Sequence, residues 1–264
     1  MTGGAIIALK EVGRSFDGGR SFAVDAVSLA IPEGAFVALV GASGSGKTTT
    51  LKMINRLVEP DRGEVLVEGS PAASLPAAEL RRRIGYVFQG IGLFPHLSVA
   101  ENIGITPALL GWSRPDIQAR TLELLDLVGL PRSYAPRPPA ALSGGERQRV
   151  GVARALAARP KIVLMDEPFG ALDPVTRDGL GAAYRELHDK LGLTTVMVTH
   201  DMQEAILLAD RIAVMRRGRL IADGPPGELV SAAAHPEVRA LLDMPRRQAE
   251  RVRARLSEEG EARG

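Results

Sequence analysis

Three clusters of residues in this chain have the types and spacings that suit chemistry on phosphate groups. The first is Gly41-Ala42-Ser43-Gly44-Ser45-Gly46-Lys47-Thr48, followed by Thr49. It fits G-x-x-x-x-G-K-[ST] and stands between the apolar run Phe36–Val40 and a helix-like stretch ending near Arg56. Glycines let the backbone turn its N–H groups toward phosphate oxygens. The following helix N-terminus adds its dipole, Lys47 adds a full positive charge, and Thr48 offers a hydroxyl to Mg²⁺. The second cluster is Ile162-Val163-Leu164-Met165-Asp166-Glu167, an apolar strand ending in two carboxylates. Asp166 is placed to hold Mg²⁺ through its water shell, and Glu167 to orient and deprotonate a water aimed at a terminal phosphate. The third is Leu142-Ser143-Gly144-Gly145-Glu146-Arg147-Gln148-Arg149. There Ser143 reads as a helix N-cap, and the two glycines leave backbone amides free to approach an anion.

These clusters need elements to position them. Ile6–Val12, Val27–Ile31 and Ala35–Val40 read as strands, with Pro32-Glu33-Gly34 turning between the last two. The uniformly apolar Phe36–Val40 suits a strand buried on both faces, as in a parallel sheet covered by helices. Further strands read at Glu64–Val67, Ile84–Phe88, Ile162–Met165, Thr195–Thr199 and Ile212–Met215. Gly218 turns a hairpin whose return strand is Arg219–Ala222. Alternation of strands and helices indicates an α/β chain with a parallel sheet. From about Gln89 to Ala158 the pattern is mainly helical, with Leu109, Leu110, Leu122, Leu125 and Val128 expected to supply apolar faces. This stretch reads as an inserted helical subdomain, and Ala135–Pro139 as its loop back to the core.

Composition bounds the rest. The chain has 264 residues, 45% hydrophobic and 24% charged, enough for a sizeable core. A net charge of +2, with Lys and Arg spread along the chain, gives no concentrated basic face for nucleic acid. With no cysteine there are no disulfides, thiolate metal sites or cysteine nucleophiles. Met1–Lys10 does not read as a signal peptide, and no apolar run approaches the ~18 residues of a membrane-spanning helix. Any membrane role is expected to come through a partner protein. From Pro245 the chain is rich in Arg and Glu. Arg246, Arg247, Arg251, Arg253 and Arg255 would suit lipid headgroups, but Glu250, Glu258 and Glu259 among them favour a solvated helix or tail.

Leu142–Gln148 resembles the ABC signature motif. Joined to a phosphate loop and a strand ending in Asp-Glu, it makes the chain similar to the nucleotide-binding subunits of ABC transporters, from about Ile6 to Leu242. The resemblance implies a P-loop NTPase (RecA-like) α/β core, about 1–88 and 159–228, with an antiparallel β subdomain. It also implies an α-helical subdomain at about 89–158, within an ATPase domain of 1–242, and a charged tail at 243–264. It further implies roles for single residues. Phe16 would stack on adenine, where Phe is an acceptable substitute for the more usual Tyr. Gln89 resembles the Q-loop glutamine that reaches Mg²⁺ and the attacking water. Asp173, in Ala171-Leu172-Asp173, resembles the D-loop aspartate, and His200 the switch histidine on the γ-phosphate. ATP and Mg²⁺ are the implied cofactors. Two copies would face head to tail, with ATP held between Gly41–Thr48 of one and Ser143–Glu146 of the other. The implied partners are permease subunits, which would hold the chain at the cytoplasmic face of the membrane, and an extracytoplasmic binding protein.

Three stretches are similar to importers of quaternary amines such as glycine betaine, choline or carnitine: Lys52–Pro60, Gln89–His96 and Phe169–Arg177. Two departures are the Gly90 that follows Gln89 and the chain's end at Gly264, soon after Leu242. The second leaves no expectation of a C-terminal pair of regulatory domains that sense ionic strength. Importers of other small solutes (an amino acid, taurine, nitrate) and exporters stay open. A soluble ABC ATPase acting on ribosomes or DNA fits less well, because there is one phosphate loop and no sustained heptads between Thr48 and Ser143. A small-molecule P-loop kinase leaves Leu142–Gln148 unexplained. Leu93, Phe94, Pro95 and Leu97 read either as local core or as a surface for a short permease helix.

Overall fold

A computed structural model describes residues 4–90, 92–170, 172–231 and 236–261. Ile91 and Ala171, which fall in two of the stretches above, lie outside the described residues, as do the side chains of Glu258 and Glu259. In chain order the elements begin with β1 (Ala5–Arg14), β2 (Val24–Pro32), β3 (Phe36–Val40) and α1 (Lys47–Ile54). They continue with β4 (Arg62–Val67), β5 (Ser70–Pro71), α2 (Ala77–Arg83) and β6 (Ile84–Val87). Next come α3 (Val99–Leu109), α4 (Arg114–Leu127), α5 (Gly144–Leu156), β7 (Ile162–Asp166) and α6 (Pro174–Leu191). Then follow β8 (Thr194–Val198), α7 (Met202–Leu208), β9 (Arg211–Arg216) and β10 (Arg219–Gly224). The last are α8 (Pro226–Ser231), α9 (Pro236–Leu242) and α10 (Met244–Glu261), the last a largely exposed, Arg-rich helix.

Two sheets result. A four-stranded antiparallel sheet runs β2-β1-β4-β5, and a six-stranded sheet runs β10-β9-β3-β8-β7-β6. In the larger one only β10 is antiparallel to its neighbour; β9, β3, β8, β7 and β6 all run the same way. Every residue of β3, β7 and β8 is buried, the polar Thr194, Thr195 and Asp166 included, as central strands covered on both faces must be. Side chains alternate between faces along a strand, so each strand feeds two cores. From β3, Phe36, Ala38 and Val40 join the core under α5 and α6. Val37 and Leu39 join the core shared with α1 and the antiparallel sheet.

The helices between β6 and β7 pack through Val99 and Ile103 of α3 against Leu124, Leu125 and Val128. Leu109 and Leu110 depart from the expectation that they supply an apolar face: they are 58% and 43% exposed. Leu109 lies about 120° around α3 from Ile103, off the face that meets α4, and Leu110 is the C-cap residue. The strand after Gly218 extends to Gly224, two residues beyond the expected end.

One buried polar network ties α6 to the sheet. His188 Nε2 lies 3.2 Å from the Gly34 carbonyl, so that nitrogen donates. Nδ1 then accepts from Thr195 Oγ1 at 2.9 Å, and Thr195 in turn accepts from the Tyr184 hydroxyl at 2.9 Å. Burial holds the His188 pKa below its ordinary value, aided by Arg185 and opposed by Asp210, Asp189 and the Gly34 bond. With the folded pKa depressed, the unfolded chain binds the proton more readily. The stabilisation is therefore complete above the unfolded value of about 6.5 and is lost as pH falls below it. Thermal unfolding followed from about pH 7.5 to about pH 5.5 should show a falling midpoint, and His188→Gln should shrink that fall.

Candidate active site

The loop after β3 is shaped by close backbone contacts. Gly41 has φ 146°, and a Cβ there would lie 2.1 Å from the Met215 carbonyl oxygen of β9. Gly46, at φ 101°, is the residue before α1 and lends it no side-chain cap. The Gly218 N–H donates to the Ser45 carbonyl at 3.0 Å, and Thr50 Oγ1 donates to the Gly46 carbonyl at 2.9 Å. The first N–H groups of α1 have no partner within the helix and point out of its N-terminus, which is what an anion requires. Lys47 is only 6% exposed, and its Nζ donates to the Gly41 and Ala42 carbonyls at 2.9 Å each. Burial lowers its pKa, while the charges of Glu167 and Asp166 act to raise it. Above it opens a cavity of about 380 Å³ lined by Ala23, Ser43–Thr49, Glu167 and His200.

The carboxylates arrive from β7. Thr48 Oγ1 donates to Asp166 Oδ1 at 2.8 Å, and Asp166 is 3% exposed. Tyr86 of β6 lies beside it; burial first and the Asp166 charge second push its phenol well above the ordinary range. A hydroxyl and a carboxylate are hard oxygen donors, the set that holds Mg²⁺ when substrate phosphates and water complete the shell. No group of three His, Asp or Glu suited to a metal occurs among the described residues. Glu167 takes φ 45°, a left-handed conformation costly for a non-glycine residue, while its N–H donates to the Val198 carbonyl at 2.9 Å. This sharp turn brings the side chain into the cavity. Gln89 Nε2 donates to Glu167 Oε2 at 3.1 Å, and His200 Nδ1 stands 3.5 Å from the same oxygen. Gln89 is thus placed on Glu167 and not on the Thr48–Asp166 pair.

The Ser143 segment lies elsewhere. Ser143 caps α5 in a reciprocal box: its Oγ accepts from the Glu146 N–H at 3.3 Å, and Glu146 Oε2 accepts from the Ser143 N–H at 2.7 Å. Those bonds and the Tyr134 hydroxyl on Oε1 hold the Glu146 carboxyl below its usual pKa. Gly145 abuts α6, where a Cβ would come within 2.8 Å of Thr176 Cγ2, whereas Gly144 faces open space. None of Ser143–Glu146 lines the cavity over Lys47. Asp173 caps α6, accepting from the Thr176 N–H at 3.0 Å, and does not line that cavity either. Phe16 is 64% exposed, with the Arg14 guanidinium 5.0 Å from its ring centre, so it is not a core side chain. Its loop is braced by Asp17, which Ser21 and Ser15 bonds lower to a pKa of about 2. Two contributors carry no sequence signal: Ala23, which lines the cavity, and Tyr86, which closes the side of Asp166. Both are brought in by strand pairing alone.

A parallel sheet with a phosphate loop after one central strand and a carboxylate pair after another defines a P-loop nucleotide-binding core. The family profile described as ABC transporter matches residues 24–170. The glycine betaine/carnitine/choline transport ATP-binding protein OpuCA of Bacillus subtilis is 46% identical over 237 residues, covering 90% of this chain. The glycine betaine uptake system ATP-binding protein YehX of Escherichia coli is 52% identical over 224 residues, covering 85% of this chain. This chain spans 62% of the length of the first relative and 73% of the second. Among solved structures, a dimeric post-hydrolysis state of the ATP-binding cassette MJ0796 bound to ADP and Pi matches with a TM-score of 0.75 and 35% identity. The match covers 83% of this chain and 98% of that one. The chain belongs to the ABC transporter family.

Gly41→Ala tests the loop geometry. With its Cβ driven into the Met215 carbonyl, the variant should lose about 1–3 kcal/mol of stability in denaturant titration. Its affinity for a fluorescent nucleotide should fall at least about tenfold as the loop is displaced from its phosphate-binding shape.

Proposed function

We propose that this chain binds ATP with Mg²⁺, hydrolyses it, and powers uptake of a small quaternary amine through a separate permease. The observation that carries the hydrolytic reading is the convergence of Gln89 and His200 on one oxygen of Glu167, beside Lys47 and the Thr48–Asp166 pair. In this reading Gly41–Thr49 cradles the phosphates, Phe16 offers its exposed ring to the adenine, and Lys47 meets the outer phosphates. Bound Mg²⁺ would neutralise charge on the phosphate oxygens, held by Thr48 directly and by Asp166 through water. Glu167 accepts the proton of the attacking water. Gln89 orients that water, and His200 steadies the developing charge from the other side.

Ser143–Glu146, at the N-terminus of α5, serves the site of a second copy. Its segment lies outside this chain's own cavity and presents the free amides of Gly144 and Gly145. Head-to-tail pairing then completes two sites at once, with Asp173 at the seam. Hydrolysis removes the phosphate that both copies grip, which turns a chemical step into opening of the pair.

The cargo class rests on the names of the two bacterial relatives and on the stretches Lys52–Pro60, Gln89–His96 and Phe169–Arg177. No helix among the described residues is long and apolar enough to cross a membrane, so translocation falls to permease subunits. Phe94 is 46% and Phe88 43% exposed, while Leu93 packs on the core. Phe88 lines a cavity of about 190 Å³ with Leu57 and Thr106, and the two exposed rings suit a short permease helix. An extracytoplasmic binding protein would deliver the amine, and the chain would sit at the cytoplasmic face of the membrane.

Glu167→Gln should keep ATP affinity and lose about 10²–10⁴-fold in turnover, measured as phosphate release. Turnover near that of the unaltered protein would remove Glu167 as the base. Cells lacking their own betaine transporters, given this chain with its permease and binding protein, should take up labelled glycine betaine, and with Glu167→Gln they should not. Hydrolysis without betaine uptake would leave the motor reading and replace the cargo.

A further inference from the structure

Two loops follow the strands β7 and β8, one leading to Asp173 at the start of α6 and the other carrying His200, which lines the cavity over Lys47. A single side chain touches both. Arg177, on the first turn of α6, donates from Nη2 to the Leu172 carbonyl at 3.0 Å, immediately before Asp173. From Nη1 it reaches Asp201 Oδ2 at 3.2 Å, immediately after His200. Asp201 is in turn fixed at its other oxygen, where Oδ1 accepts from the Gln203 and Glu204 N–H groups at 2.9 and 3.2 Å. Its own N–H donates to Thr199 Oγ1 at 3.0 Å. Arg177 and Asp201 line a cleft of about 560 Å³ between α6 and α7.

We propose that Arg177 is a positioning residue that locks the Asp173 loop to the His200 loop, so that both take their hydrolytic arrangement together. The inference rests on the reading of Glu167 and His200 as hydrolytic residues.

The chemistry of the fork is what makes the link specific. A guanidinium presents two N–H edges in a fixed plane and serves two acceptors at once, which an ammonium on a flexible stem does not. Fold stability supplies no comparable reason for the arrangement. The pair keeps 29% and 32% side-chain exposure, and ion pairs in such settings add little to stability. Helix α6 is anchored independently by buried Leu180, Tyr184 and Leu187. Burial raises the carboxyl pKa of the neighbouring Glu204, and the Arg177 charge opposes that rise.

The test uses the full chain and the variants Arg177→Gln, Arg177→Lys, Asp201→Asn and the double Arg177→Gln/Asp201→Asn. Asn retains N-cap capacity at position 201, so α7 keeps its start. Expected is a fall in kcat of about tenfold for Arg177→Gln and for Asp201→Asn, a smaller fall for Arg177→Lys, and KM for ATP within about twofold. The double variant should be no slower than the slower single one, because one link is lost in each. Hydrogen exchange should quicken in both loops, around Asp173 and around Asp201, in either single variant. Unchanged kcat in Arg177→Gln, effects that multiply in the double variant, or exchange that quickens only in α6 would each overturn the inference. If the unaltered protein hydrolyses no ATP, the hydrolytic reading falls and takes this inference with it.

Discussion

The parallel hydrogen-bond ladder between β3, β8, β7 and β6 is the constraint on which the rest of the molecule depends. Leu39 and Asp166 both stand in register with Val198. The first residues past the strands therefore emerge side by side, separated only by the strand spacing of about 4.8 Å. From that one edge come Gly41 after β3, His200 after β8, Glu167 after β7 and Gln89 after β6. Ligands of open α/β sheets bind at this carboxyl edge because the loops there converge while the strands beneath them stay rigid. A slip of one residue in β7 would exchange the faces of its side chains and carry Asp166 away from Thr48.

Rigidity at that edge has an electrostatic purpose. Lys47 and Asp166 are both buried, in a setting where an isolated charge would be costly. Each is compensated by neighbours fixed before any ligand arrives: two carbonyls hold the ammonium, and the Thr48 hydroxyl meets the carboxylate. Fixed dipoles of this kind need not reorganise as charge develops, which is the main lever available to phosphoryl transfer. The strained φ of Glu167 belongs to the same design. The ladder bond to Val198 holds the backbone in a conformation the residue would not adopt alone.

Much of this was legible in the sequence where the signal is local. Phe36–Val40 and Ile162–Met165 declare themselves as buried strands because two covered faces demand apolar runs, and Thr195–Thr199 was legible within one residue at each end. Ser143 was legible as a cap, and the reciprocal box with Glu146 is what the structure adds to that reading. Signals that depend on tertiary placement were weaker. Leu109 and Leu110 look like core residues until the neighbours of α3 are known, and the exposure of Phe16 depends on the loop that follows β1. The meeting of Gln89 and His200 on a single Glu167 oxygen joins residues far apart in the chain. Likeness to a family suggested their roles, and only the strand order gives the distances. Arg177 carries no signal of its own, since its importance lies in what its two nitrogens reach.

The half-site follows from the same topology. Helix α5 runs from the Ser143 cap into the core under β3 and β7, and its N-terminal residues Ser143–Glu146 do not line the cavity over Lys47. In the proposed head-to-tail pair, a polar helix start on one molecule and the phosphate cradle of the other, which do not meet within one chain, are the complementary parts. Sedimentation of Glu167→Gln with and without saturating ATP and Mg²⁺ tests this most directly. A monomer that becomes a dimer when nucleotide binds is the predicted result. A monomer with nucleotide bound at full occupancy would contradict the composite site.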